Sequence, residues 1–234
     1  MGTTDWSDPD IKDAVEGHER FKQQFERDKS FYRGLARRKQ KPRLLWIGCS
    51  DSRVVPAQIT SADPGELFEI RNIANVVPPA DTDDDSVGAA IAYALDHLGV
   101  DDIVVCGHSG CGGIQALMNE AQAGFSGHLG RWIDYTRPAH RLVDAQQVPE
   151  AERLMATIKA HIQFQIDNLM TYPRVREGVE SGKVGVHGWL YVMETGELLA
   201  YDAGAGDWQP LGAGSQADSK SATGPVIQAP AAGP

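Results

Sequence analysis

The stretch Asp102-Ile103-Val104-Val105-Cys106-Gly107-His108-Ser109-Gly110-Cys111-Gly112-Gly113 decides the fold. Its first half is a short, β-branched apolar run of the kind that forms a strand buried on both faces. Its second half is polar, rich in glycine, and carries an imidazole and a thiol. A buried strand that ends abruptly in such residues belongs to an open α/β sheet, where sites form at the carboxyl ends of the strands. Upstream, Arg43-Leu44-Leu45-Trp46-Ile47-Gly48 reads as a second buried strand, and it ends in Cys49-Ser50-Asp51-Ser52-Arg53. Glu66 to Arg71 and Lys183 to Val192 read as two more strands. Leu198 to Tyr201 follows the hairpin-like turn at Thr195-Gly196.

Helical patterns separate these strands. Val87, Ile91, Leu95 and Leu98 share one helical face, with Asp83, Asp84 and Asp85 at the start, where carboxylates suit the helix dipole. Leu154, Ile158, Ile162, Ile166 and Leu169 mark a longer helix, and Pro173 breaks the pattern. Strands alternating with helices predict an α/β fold. Its central, mostly parallel sheet has four parallel strands plus an antiparallel edge strand and is flanked by helices. Residues 10 to 40 form a charged helical region with an apolar stripe at Ile11, Val15, His18, Phe21, Phe25, Tyr32 and Leu35. The expected organisation is an N-terminal helical arm over 1–42, an α/β body carrying the metal-type residues over 43–210, and a flexible tail over 211–234. Ala, Gly, Ser and Pro fill 16 of the tail's 24 positions, a composition that cannot bury enough surface to fold alone.

Composition bounds the function. Among 234 residues, 22 lysines and arginines face 32 aspartates and glutamates, a net charge of −10. That argues against wrapping nucleic acid or coating an anionic membrane. The three cysteines are too few and too odd in number for a disulfide framework, so a reducing compartment is expected. The polar start lacks a signal-peptide pattern, and no apolar run reaches the roughly 20 residues of a membrane span. The expected location is cytoplasmic.

If the two loaded strand ends are neighbours, Cys49, His108 and Cys111 meet at one point. Two thiolates and an imidazole are a natural ligand set for zinc, and three protein ligands leave the fourth tetrahedral position open for chemistry. Water there becomes a nucleophile near neutral pH. The glycines that follow, Gly112 first, let backbone amides approach closely and open a helix whose N-terminus favours negative charge. Arg53 offers a fork of donors that suits the Asp51 carboxylate, so that Asp51 is oriented toward metal-bound water. A broken pair would free Asp51 to swing onto the metal and shut the site. Cys106 lies inside the apolar strand and reads as core. The His–Cys spacing alone is a weak signal; the joint pattern at two strand ends is specific. Neither G-x-G-x-x-G nor a G-K-[ST] phosphate loop is present. A cysteine-protease pair fits less well than a metal, because two cysteines converge on one histidine. The other histidines (18, 97, 128, 140, 161, 187) have no ligand-like spacing.

Cys49-Ser-Asp51-Ser-Arg53, Pro64-Gly65-Glu66, Arg71-Asn72-Ile73-Ala74-Asn75 and Gly107-His108-Ser-Gly-Cys111-Gly-Gly together resemble the β-class carbonic anhydrases, in order and spacing, from about Gln40 to Tyr201. The resemblance implies one zinc per chain on Cys49, His108 and Cys111, with Asp51 and Arg53 as a catalytic dyad. It implies reversible hydration of carbon dioxide to bicarbonate and a proton by attack of zinc-bound hydroxide. It also implies a homodimer or dimer of dimers embraced by the N-terminal helices. Gln40 would reach the substrate site of the neighbouring subunit, and Gly112 would contact substrate. One subclass holds inhibitory bicarbonate on a Trp, an Arg and a Tyr, which match Trp46, Arg71 and Tyr191. Val76-Val77-Pro78-Pro79 and Gly88-Ala89-Ala90 look more like the non-allosteric, plant-type members. The competing expectations are a carbon disulfide or carbonyl sulfide hydrolase on the same fold, a non-catalytic structural zinc protein, and a scaffolding role through the tail.

Overall fold

The computed structural model describes residues 8–119 and 125–212. The chain divides into two compact units, Met1–Gln40 and Lys41–Pro234. The expected tail lies outside the described residues except for Leu211 and Gly212.

The first unit is helical but not one helix. Helix α1 (Pro9–Arg27) starts on Asp8, whose Oδ1 accepts from the amides of Asp10 and Ile11 at 3.0 and 3.4 Å. Asp28 interrupts the helix, and α2 (Lys29–Arg37) restarts beyond it. The two helices meet through aromatic rings: Tyr32 stacks on Phe25 at 5.1 Å and sits edge-on to Phe21 at 5.5 Å. Neither helix buries a residue.

The second unit is a six-stranded sheet with order β2-β1-β3-β4-β5-β6. Strands β1 (Leu44–Cys49), β2 (Leu67–Asn72), β3 (Asp102–His108) and β4 (Gly185–Val192) are parallel. β5 (Glu197–Asp202) and β6 (Asp207–Pro210) add antiparallel pairings. The parallel part is as the sequence predicts, but the edge is β6 rather than β5. β6 has four residues and only Trp208 turned into the protein, too short for an alternating pattern to show, and its Pro210 is tolerated at an edge.

Helices connect the parallel strands: α3 (Pro56–Thr60), α4 (Asp85–Ala92), α5 (Gly112–Met118), α6 (Gly127–Ile133), α7 (Arg137–Ala145), the long α8 (Glu150–Leu169) and α9 (Pro173–Glu180). Asp84 caps α4 by accepting from the Val87 amide at 3.3 Å, and the helix runs on as a π turn to Leu98. Pro173 is not only a breaker; it opens α9, where its missing N–H costs nothing.

The sheet's two faces differ. Leu45, Ile47, Ile103, Val105, Val186 and Leu190 pack against Val87, Ile91, Ile114, Ile158, Ile162 and Leu169 of the helices. At about 1.5–3 kcal/mol per buried aliphatic side chain, this face supplies most of the hydrophobic drive. The opposite face buries only Trp46, Val104 and Cys106, ringed by Leu44, Trp189, Tyr191 and Leu198. No helix among the described residues is long and apolar enough to cross a membrane.

Candidate metal centre

Parallel pairing of β1 with β3 brings their carboxyl ends side by side. Cys49 ends β1 and His108 ends β3; Ser109 and Gly110 then turn the chain so that Cys111 caps α5. The turn needs a left-handed residue, and Gly110, at φ 61°, supplies it without a side-chain clash. The three donor atoms lie within 4.8 Å of one another, and all three residues are buried.

Their hydrogen bonding suits a soft divalent cation. His108 Nδ1 lies 2.9 Å from the Ser109 carbonyl. A carbonyl only accepts, so Nδ1 carries the proton and Nε2 presents its lone pair. Nε2 is buried with no partner of its own. Cys49 is drawn well below the ordinary thiol range by the S–H bond from Cys111 and by His108, while the same contact and burial push Cys111 up. Two sulfurs and one imidazole nitrogen around an unpartnered lone pair are donors of the zinc type.

Asp51 stands beside the cluster, its Oδ2 3.9 Å from His108 Nε2. Arg53 holds it bidentately, Nε to Oδ1 at 2.9 Å and Nη2 to Oδ2 at 2.7 Å, and its amide adds a third bond at 3.0 Å. These bonds keep the carboxyl far below the usual carboxylate range.

Arg71 secures the same corner from β2. Its Nε donates to the Cys49 carbonyl at 3.1 Å, and its Nη2 donates to the carbonyls of Asp51 and Val54 at 2.8 and 2.6 Å. Asn72 then closes a turn on Val76, with bonds of 2.7 and 2.8 Å to its amide and carbonyl. Between them Ala74 and Asn75 take left-handed φ angles of 60° and 46°. Such backbone persists only where its surroundings over-determine it. Helix α8 does this: His161 Nε2 binds the Ala74 carbonyl at 2.7 Å, Gln165 Oε1 accepts from the Val77 amide at 2.8 Å, and Asn168 donates to the Val77 carbonyl at 2.8 Å. Burial pushes His161 down to about 4.

The remaining predicted residues are placed as follows. Gly112 is the first residue of α5. Trp46 is fully buried, edge-on to Trp189 at 5.7 Å, and its indole N–H has no partner. Gly48 makes room for it, since a Cβ there would lie 2.5 Å from the indole nitrogen. Tyr191 borders the same cluster from β4. Gln40 is exposed at the end of the first unit. Cys106 is buried in the second face, and desolvation keeps its thiol protonated. His128 lies by Arg131, His140 by Asp144 and His187 by Asp102, all away from the cluster. Sequence reasoning missed His161, Gln165 and Asn168. Their signal is a polar row at i, i+4 and i+7 beside the apolar stripe of α8.

A mostly parallel α/β sheet with a two-sulfur, one-nitrogen cluster at adjacent strand ends defines a class of α/β enzymes with a metal-type centre. A family model described as carbonic anhydrase matches residues 44–198. A carbonic anhydrase of Pseudomonas aeruginosa is 38% identical over 194 residues, covering 82% of this chain and 88% of that protein. One from Helicobacter pylori is 34% identical over 196 residues, covering 80% and 88%. The solved structure of the β-carbonic anhydrase CcaA superposes with a TM-score of 0.79 at 33% identity, covering 86% of this chain and 99% of that one. A tetrameric β-carbonic anhydrase from Sordaria macrospora gives 0.72 at 31% identity, covering 81% and 95%. The chain belongs to the β-carbonic anhydrase family and is a carbonic anhydrase.

Proposed function

We propose that Cys49, His108 and Cys111 hold one zinc ion per chain and that the protein catalyses reversible hydration of carbon dioxide to bicarbonate and a proton. The observation that carries this is the His108 Nε2 lone pair, buried without a partner and facing two sulfurs. Zinc bound there supplies a Lewis acid that makes water nucleophilic near neutral pH. Asp51 stays ionised because Arg53 binds both its oxygens, so it accepts a hydrogen bond from the attacking water and orients it. The same clamp would hold Asp51 away from the ion, leaving Cys49, His108 and Cys111 to bind it. Gly112 offers its amide to the substrate, and Gln40 serves the substrate site of a neighbouring copy in a homodimer or dimer of dimers. Three free thiols fit a reducing, cytoplasmic setting.

Trp46, Arg71 and Tyr191 form a second bicarbonate site in this reading. A bicarbonate drawn to Arg71 competes with the carbonyls of Cys49, Asp51 and Val54 that Arg71 now binds. Releasing them loosens the Asp51 corner and slows hydration.

Stopped-flow hydration of carbon dioxide, on protein assayed for zinc at pH 7 and 8.5 with and without bicarbonate, tests both points. Fast hydration with one zinc per chain is expected, and Cys49→Ala should lose metal and activity together. Activity that survives without metal sinks the mechanism. Hydration insensitive to added bicarbonate removes the second site.

A further inference from the structure

We propose that Glu194, on the β4–β5 hairpin, is a positioning residue for the metal-type histidine and acts through Ser109. This rests on the zinc reading above. His108 takes its orientation from the carbonyl of the very next residue, at 2.9 Å. A neighbour in sequence cannot anchor a ring unless it is itself anchored, and Ser109 is anchored entirely from the hairpin. Its amide donates to the Tyr191 carbonyl at 2.9 Å. Its hydroxyl accepts from the Met193 amide at 2.9 Å and donates to Glu194 Oε2 at 2.6 Å.

The last bond is short and has a charged acceptor, the stronger class of hydrogen bond. Ser109 is 2% exposed, so water is no ready substitute. Glu194 is itself exposed, yet its carboxylate turns inward to this hydroxyl. The Ser109 hydroxyl, then Glu194's own amide and the nearby Arg53 charge, draw that carboxyl below its ordinary value. Met193 covers the turn between the two β3-end ligands, since a side chain at Gly110 would meet its Cε at 3.5 Å. The hairpin therefore fixes where the Ser109 carbonyl points, and with it the tautomer and tilt of His108.

Partners behind a metal-ligating histidine commonly change metal affinity by about 10–100-fold. Two readouts are needed: the rate of zinc loss to a chelator, and the absorption spectrum of cobalt-loaded protein, which reports ligand geometry. Glu194→Ala should lose zinc at least about tenfold faster and shift the cobalt bands. Glu194→Gln keeps an accepting oxygen and should restore most of both. Ser109→Ala also frees the Met193 amide and should do at least as much damage as Glu194→Ala, and the double variant should be no worse than Ser109→Ala, because the Glu194 bond is already cut there. Glu197→Ala alters the same hairpin without touching Ser109 and should behave as wild type. Wild-type zinc loss and spectrum in Glu194→Ala, additive effects in the double variant, or equal damage from Glu197→Ala would each overturn the proposal. Wild-type protein that binds no zinc overturns the zinc reading itself. Wild-type protein with one zinc and an unaffected Glu194→Ala overturns only the brace.

Discussion

Arg53 does two things to Asp51, and they separate experimentally. It keeps the carboxyl ionised and it holds both oxygens in place. Without Arg53 the carboxyl returns toward an ordinary value near 4 and is still ionised at pH 7, so any loss of activity reflects position. A freed Asp51 lies within reach of the metal position, 3.9 Å from His108 Nε2. Arg53→Ala should therefore lose about 10²-fold in hydration rate at pH 7, a typical scale for a misplaced acid–base partner. It should recover part of that by pH 9 as hydroxide competes for the site. Asp51→Ala with Arg53→Ala should show no such recovery, and a flat pH–rate profile in the single variant would refute the swing of Asp51. His161 gives a second pH signature, in stability. The unfolded chain protonates this histidine near 6.5, and the folded chain refuses the proton down to about 4. Its share of stability is thus full above 6.5 and is lost as pH falls toward 4. Between pH 7 and 5 the wild type should lose about 2 kcal/mol more than His161→Gln in urea titrations; equal losses would mean that the buried ring is not the cause.

Helix α8 shows what a sequence can reveal about an element and what it hides. Ile158, Ile162 and Leu169 were legible as one buried face because helical spacing alone defines that face. His161, Gln165 and Asn168 form a polar row that local spacing can show, but they act on Ala74 and Val77, 87 to 91 residues away, and spacing does not name such partners. The same reason separates the metal cluster from its supports. Cys49, His108 and Cys111 could be read because Cys49 and His108 end strands and Cys111 follows one turn later, at the start of α5. The Ser109–Glu194 bond spans 85 residues and depends on how a hairpin folds back, as does the edge strand β6. The α8 row carries its own prediction. Gln165→Leu removes the acceptor of the Val77 amide and leaves a buried N–H unpaired. That should cost about 1–3 kcal/mol, and the melting temperature should fall by about 2–4 °C for each of them. A melting temperature within 1 °C or so of wild type would show that the loop over 72–77 does not need this bond.

At the scale of the whole molecule, charge and apolar exposure concentrate in one segment. Residues 20–43 carry ten lysines and arginines against two acidic residues, a net +8 inside a chain of net −10. Helices α1 and α2 bury nothing; Phe31 within the basic run is 37% exposed, and Ile11 and Val15 just upstream of it are 40% and 43% exposed. In the homo-oligomer proposed above, apolar side chains spread along a charged arm would fit packing on another copy. The rest of each copy carries the opposite net charge, so docking the arm is favoured electrostatically as well. Substituting Ile11, Val15 and Phe31 together by serine leaves the lone chain's core untouched. In the assembly, each loss would remove up to about 1.5–3 kcal/mol of apolar burial, and every 1.4 kcal/mol is about tenfold in affinity. Light scattering at micromolar concentration should then find smaller species than the wild type forms. Activity per zinc should fall with assembly, because Gln40 would no longer reach a neighbouring site. Unchanged mass in the triple variant would place the interface elsewhere. Dissociation with full activity per zinc would leave the arm as an assembly device and remove Gln40 from the substrate site.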